Sequence, residues 1–216
     1  RHMEDSLKRL QTDHVDLYYM HHIDRHVTWP EMWGVMEVLV NSGKATYIAS
    51  SNFAGHDLVR AQWEADKRHF LGLVAEQHQY HLLSRLPELE VIPAARELGL
   101  GFVTYSPLAG GMLGENALKR LSGSRGENRH YSEAMIKTLT DFADFCRELG
   151  EKQSDVAMAW ILKNPVVTSP LIGPRTPEHL DNILHALDVK LDDSAMKRLD
   201  EIFPGPGGEA PDSYAW

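Results

Sequence analysis

Short apolar runs alternate along this chain with longer stretches whose apolar residues recur at helical spacing. The runs VDLYYM (15–20), ATYIAS (45–50), LGLVAE (71–76), GFVTY (101–105) and VTSPLI (167–172) are β-branched or aromatic and bounded by breakers, which predicts buried strands. Between them, Met32, Val35, Met36, Leu39 and Val40 line one helical face ahead of Gly43, a predicted C-cap. Leu58, Ala61, Ala65 and His69 or Phe70 do the same, as do Leu89, Ile92, Ala95 and Leu98 before Gly99. Helices are also predicted over 132–149, 154–163, 177–187 and 193–202, and Met3, Leu7 and Leu10 form an apolar stripe on a helix at the start. The first four strands begin roughly 30 residues apart, the length of one strand with its return helix. Repeated strand–helix units without hairpins predict a parallel sheet, either covered by helices on both faces or closed into a barrel. Five strands are visible where a closed barrel takes eight, so the expectation is a native polypeptide longer by about 100 residues.

Composition narrows the function classes. The chain has 216 residues, a 43% hydrophobic fraction and a formal charge of -9, which argues against broad binding of nucleic acid or anionic membranes. The single cysteine, Cys146, excludes an internal disulfide framework and sits among Phe142, Phe145 and Leu149 in a helical pattern, as a buried thiol would. With no leader pattern and no run of membrane length, a cytoplasmic location is expected. The tail PGPGGEAP (204–211) breaks the pattern, and the organisation expected is one domain over 1–203 followed by a tail over 204–216. Gly110 to about Arg129 reads as a long loop.

The candidate chemistry lies at the ends of the strands. Ligands of parallel α/β folds bind at the carboxyl ends, where loops and helix N-termini converge. Those ends carry His21 and His22, then Ser51 and Asn52, then Gln77, then Tyr105 and Ser106. Their hydrogen-bonding side chains suit an uncharged amide-bearing ring better than a metal. A second group is LIGPRTPEHLDN (171–182), where Thr176 is a suitable N-cap, Pro177 fits the first helical position, and Gly173 and Arg175 precede the helix. A helix start with a flanking arginine suits a phosphate. No GxGxxG follows a strand, so a dinucleotide would have to bind by another route.

The segments SLKRLQTDHVDLYYMHHID, GKATYIASSNFAG, EQHQYHLLSR, YSPLAGGML and LIGPRTPEHL, in this order, resemble the aldo-keto reductase superfamily from about Asp5 to Phe203. The resemblance implies a (β/α)8 TIM barrel, here strands 4–8 with their helices, and NADPH-dependent reduction of small-molecule aldehydes or ketones, with NADP as the cofactor. It implies that His21 is the catalytic histidine and that Ser51, Asn52 and Gln77 hold the nicotinamide carboxamide. Tyr105 would stack on the ring, and Ser106, Leu108 and Gly110 would straddle the pyrophosphate. Arg175 would lie near the adenosine 2′-phosphate, with His179, Asp181 and Asn182 near the adenine; the acidic–Asn pair is displaced by one residue from the family pattern. The family's catalytic Asp, Tyr and Lys come from earlier strands, so this stretch supplies the histidine and much of the cofactor cleft without the acid.

Two other readings stay open: a nucleotide-binding, non-catalytic subunit like the potassium-channel β subunits, and an inactive remnant. HHIDRH (21–26) is not expected to bind metal, because adjacent histidines on an extended chain point apart. WPEMW (29–33) is expected to pack at a helix start.

Overall fold

A computed structural model describes residues 2–119 and 130–214. The predicted alternation is present, as an α/β fold with eight α-helices among the described residues. The strands are β1 (Val15–Met20), β2 (Ala45–Ser51), β3 (Leu73–Gln79), β4 (Gly101–Tyr105) and β5 (Val167–Pro170). The helices are α1 (His2–Leu10), α2 (Trp29–Asn41), α3 (Gly55–Asp66), α4 (Val91–Glu97), α5 (Glu133–Leu149), α6 (Gln153–Lys163), α7 (Pro177–Leu184) and α8 (Asp193–Ile202). The five strands lie in one parallel sheet in sequence order, as strands 4–8 of a (β/α)8 barrel would. The chain divides into two compact units, Arg1–His78 with Glu90–Val103, and Gln79–Leu89 with Thr104–Trp216. Part of the long loop predicted from Gly110 to Arg129 falls on residues 120–129, outside the described residues. No helix among the described residues is long and apolar enough to cross a membrane.

In the first unit the periodicity finds the core helices but not every inward residue. Leu58, Ala61 and Ala65 of α3 are fully buried, and Ile92 and Ala95 of α4 are buried with them. In α2 the anchor is Trp33, whose ring is sealed and whose indole N–H donates to the Ala61 carbonyl at 3.0 Å, while Val35 is exposed. The Trp29–Trp33 segment therefore does pack at a helix start, with Trp29 edge-on to Phe53. Met3 and Leu7 of α1 are buried as expected, whereas Leu10, at the helix end, is exposed. Phe70 rather than His69 completes the α3 stripe: His69 has φ +53° and is exposed, and the Phe70 ring meets Trp33.

Strand β3 starts later and runs further than its apolar letters. Gly72 (φ +81°) ends the preceding turn, and Gln62 brackets the entry, its Nε2 donating to Leu71 O at 2.7 Å and its Oε1 accepting from Leu73 N at 3.0 Å. Parallel pairing with β2 carries Glu76 and Gln77 into the strand, which continues to Gln79. A bulge sits between these partners: Ile48 pairs with Leu73, but Ala49 pairs with Ala75. The inserted residue advances β3 by one, so that Ser50 faces Glu76 and Ser51 faces Gln77.

In the second unit α5 is capped by Ser132, whose hydroxyl accepts from Met135 N, and ends at Gly150 (φ +77°). Leu139, Phe142 and Cys146 form its inner face, Phe142 edge-on to Phe203, and burial pushes the Cys146 thiol up to about 12. Helix α6 begins after Lys152, which has no capping side chain. Glu115 caps it from a distant loop, its carboxylate accepting from the Ser154 N–H at 3.1 Å and the Ser154 hydroxyl at 2.8 Å. Burial works against the charge on Glu115, but hydrogen bonds from its own backbone and Ser154 hold its pKa below the usual value.

Two glycines test the packing of the first unit. A Cβ at Gly55 would lie 2.8 Å from Glu90 Cβ and 2.9 Å from Glu90 O, where α3 begins against backbone. Gly55→Ala is expected to lower stability by about 1–3 kcal/mol despite alanine's better helix propensity. A Cβ at Gly34, inside α2, meets nothing nearer than 3.9 Å, so Gly34→Ala should add about 0.5–1 kcal/mol. Urea unfolding of the two variants checks both signs.

Candidate active site

The end of β2 is fastened by a carboxylate that has no access to water. Glu76 of β3 is 0% exposed. It accepts from the Ser50 hydroxyl, from the Phe53 backbone N–H at 3.0 Å and from His78 Nδ1 at 3.0 Å. A buried acid without partners would cost several kcal/mol, so these donors are a condition of its presence. The geometric effect is on the turn between Ser50 and Phe53. Held at both ends, that turn puts Asn52 at φ +59°, a left-handed conformation that a non-glycine residue keeps only where its surroundings impose it.

That turn and β3 bring three predicted residues together in the first unit. Ser51, 2% exposed, faces Gln77 across the ladder. Asn52 N–H donates to the Gln77 carbonyl at 3.0 Å, and Asn52 Nδ2 donates to Ser51 Oγ at 3.0 Å. The same amide reaches the His21 carbonyl at 3.4 Å, which ties the loop after β1 into the cluster. The Gln77 side chain is hydrogen-bonded to the Tyr19 hydroxyl, a contact that sequence reasoning did not foresee; burial raises the Tyr19 pKa, and that bond acts to lower it. Neutral donors and acceptors set side by side on rigid strand ends match the two-sided hydrogen bonding of a carboxamide.

His21 is exposed at the end of β1. The expectation that His21 and His22 point apart is corrected: the chain bends there, and the two rings pack edge-on with centroids 4.4 Å apart. The loop they begin is pinned by Arg25, which grips buried Asp57 at the start of α3 with bonds of 3.0 and 2.8 Å.

The second unit holds a cavity of about 750 Å³. Ser106, Leu108 and Gly110 line it after β4, and Arg175, His179 and Asn182 line it from the start of α7. Ser106 (φ +56°), Ala109 (φ +49°) and Gly110 (φ +63°) all take left-handed conformations in a coil closed by Ala109 N to Ser106 O at 2.7 Å and Gly111 N to Leu108 O at 2.8 Å. Fully buried Leu113 anchors the coil's far end. Thr176 caps α7 as predicted, accepting from His179 N at 3.2 Å with Pro177 at the first helical position. Asp181 is exposed and is not among the lining residues. Tyr105, half-buried, ends β4 immediately before Ser106.

A model of the aldo/keto reductase family matches residues 1–203. The chain belongs to that family. It is 57% identical over its whole length to a Bacillus subtilis (strain 168) protein named uncharacterized oxidoreductase YrpG, of which it covers 67%. It is 30% identical over 93% of its length to the aldo-keto reductase AMT2 of Alternaria alternata, covering 56% of that protein. A probable voltage-gated potassium channel subunit beta of Arabidopsis thaliana is 28% identical over 97% of the chain, which covers 67% of it. The chain thus spans between 56% and 67% of the length of these relatives.

Removing the buried carboxylate tests the first cluster. Glu76→Ala strands the Ser50 hydroxyl, the Phe53 N–H and the His78 ring, and is expected to cost at least about 2–4 kcal/mol. Glu76→Gln keeps one acceptor and should cost less. Urea midpoints of the two variants, read together, give the order.

Proposed function

We propose that the protein is an NADPH-dependent reductase of aldehydes and ketones. The observation that carries this reading is the junction of Ser51, Asn52 and Gln77 at the ends of adjacent strands, where the Asn52 amide bonds the Ser51 hydroxyl and the Asn52 backbone N–H bonds the Gln77 carbonyl. Their capacity is that of a carboxamide clamp, and the family to which the chain belongs makes a nicotinamide the natural owner of the carboxamide.

The reading assigns roles to each unit by itself. In the first, Ser51, Asn52 and Gln77 fix the rotation of the nicotinamide ring, and His21 orients the substrate carbonyl. In the second, the coil through Ser106, Leu108 and Gly110 straddles the pyrophosphate, the start of α7 faces phosphate oxygens, and Arg175 takes the 2′-phosphate. The carboxamide, phosphate and arginine pairings are all ones for which these groups have matching charge and geometry. When bound, a reduced nicotinamide supplies a hydride to a carbonyl carbon. A proton for the carbonyl oxygen must come from another group, which the family resemblance assigns to a tyrosine on an earlier strand.

Two measurements on the full-length protein test the reading. Arg175→Ala should weaken NADPH about ten- to a hundredfold in fluorescence titrations while leaving NADH nearly unchanged, because only NADPH carries the extra phosphate. Equal losses for both cofactors contradict the assignment. His21→Ala should slow oxidation of NADPH with an activated aldehyde such as a nitrobenzaldehyde by more than about tenfold, with little change in NADPH affinity. NADPH binding without turnover in the unaltered protein would favour the non-catalytic subunit reading, whose support is the similarity to channel β subunits.

A further inference from the structure

Beside the start of α6, the second unit holds three metal-ligating side chains. Glu151 lies just before the helix, Asp155 is in its first turn, and His185 opens the turn that follows α7. One ligand atom from each lies within 4.8 Å of the other two. His185 Nε2 and Glu151 Oε2 are already 2.8 Å apart. Glu151 and His185 are not among the residues that line the cavity, although Asp155 is.

The decisive member is Asp155. It is 1% exposed, and its Oδ2 has no hydrogen-bond partner. Its Oδ1 accepts from the Ser154 hydroxyl at 3.3 Å. Buried carboxylate oxygens are nearly always satisfied, and one that is not calls for a positive partner. Burial raises the Asp155 pKa, while Lys152 and His185 act to lower it, so the carboxyl stands in the field of both. Neither donates a hydrogen bond to Oδ2.

We propose that Glu151, Asp155 and His185 form a site for a divalent transition-metal ion of the zinc class. One imidazole and two carboxylates, with water in the fourth position, suit zinc; magnesium and calcium prefer oxygen alone. Ligands about 2.1 Å from one tetrahedral zinc lie about 3.4 Å apart, so shifts of up to about 1.4 Å convert the present spacing into a coordination shell. Glu151 and His185 are the partly exposed members and supply that movement, while Asp155 is fixed by its helix. The ion would join the beginning of α6 to the turn after α7, two elements that the polypeptide otherwise connects through about thirty residues.

Zinc chloride titrated calorimetrically into the purified protein, in a non-chelating buffer, tests this. The expected result is one ion per chain above any background from the other histidines. Asp155→Asn and His185→Gln should each weaken that site by about tenfold or more, with magnesium chloride giving no comparable heat. His185 is half exposed, so its variant is a fair control for folding, checked by circular dichroism. Zinc binding of unchanged stoichiometry and affinity in both variants, no zinc binding by the unaltered protein, or equal binding of magnesium would each overturn the proposal.

Discussion

The hydrogen-bonded burial of Glu76 is the constraint on which the candidate active site depends. A carboxylate sealed inside a parallel sheet is tolerated only if every lone pair facing protein finds a donor, and here the donors come from its own strand, from the strand beside it and from the turn beyond that strand. The same bonds that stabilise the acid dictate where the chain goes after Ser51. Asn52 is thereby forced through a left-handed conformation, its side chain turned to Ser51 and towards the His21 carbonyl. Burial energetics and site geometry are thus one arrangement, and the bulge opposite Ile48 is what brings Ser50 into register with the acid.

The second unit solves a similar problem without a buried acid at the strand end. Its coil after β4 leaves the sheet through left-handed residues at Ser106, Ala109 and Gly110, and short backbone bonds together with the buried Leu113 side chain hold it. Two of these three residues are not glycine, and strain of that kind persists where surrounding structure over-determines it. The capping of α6 by Glu115 belongs to the same economy, since a loop residue stabilises a helix start while the helix start fixes the loop.

Much of this was legible in the chain. The strand runs, the helix stripes and the Thr176–Pro177 start depend on local sequence, and the structure reproduces them with shifts of a few residues at their ends. What the letters concealed depends on pairing. The polar end of β3 looked like loop because its strand character comes from its neighbours, and the bulge that aligns Ser51 with Gln77 has no signature in either strand. Glu76 could have been suspected as the acid that closes the run LGLVAE, but two of its donors, Ser50 and Phe53, lie more than twenty residues away. Trp33, within the segment expected to pack at a helix start, sits off the simple stripe of α2 and reaches inward by size and by its bond to Ala61. The Tyr19–Gln77 contact and the Glu151–Asp155–His185 cluster likewise join positions distant in sequence.

Native-state hydrogen exchange at a single amide tests the central role of Glu76 most directly. Phe53 follows β2 in a turn, and its N–H has the buried Glu76 carboxylate as acceptor. If that bond fixes the turn, the Phe53 amide should exchange only with global unfolding, at the same free energy as amides inside β2. Exchange of Phe53 at rates typical of exposed loop amides, while β2 stays protected, would show that the carboxylate does not hold the strand end and would contradict the account.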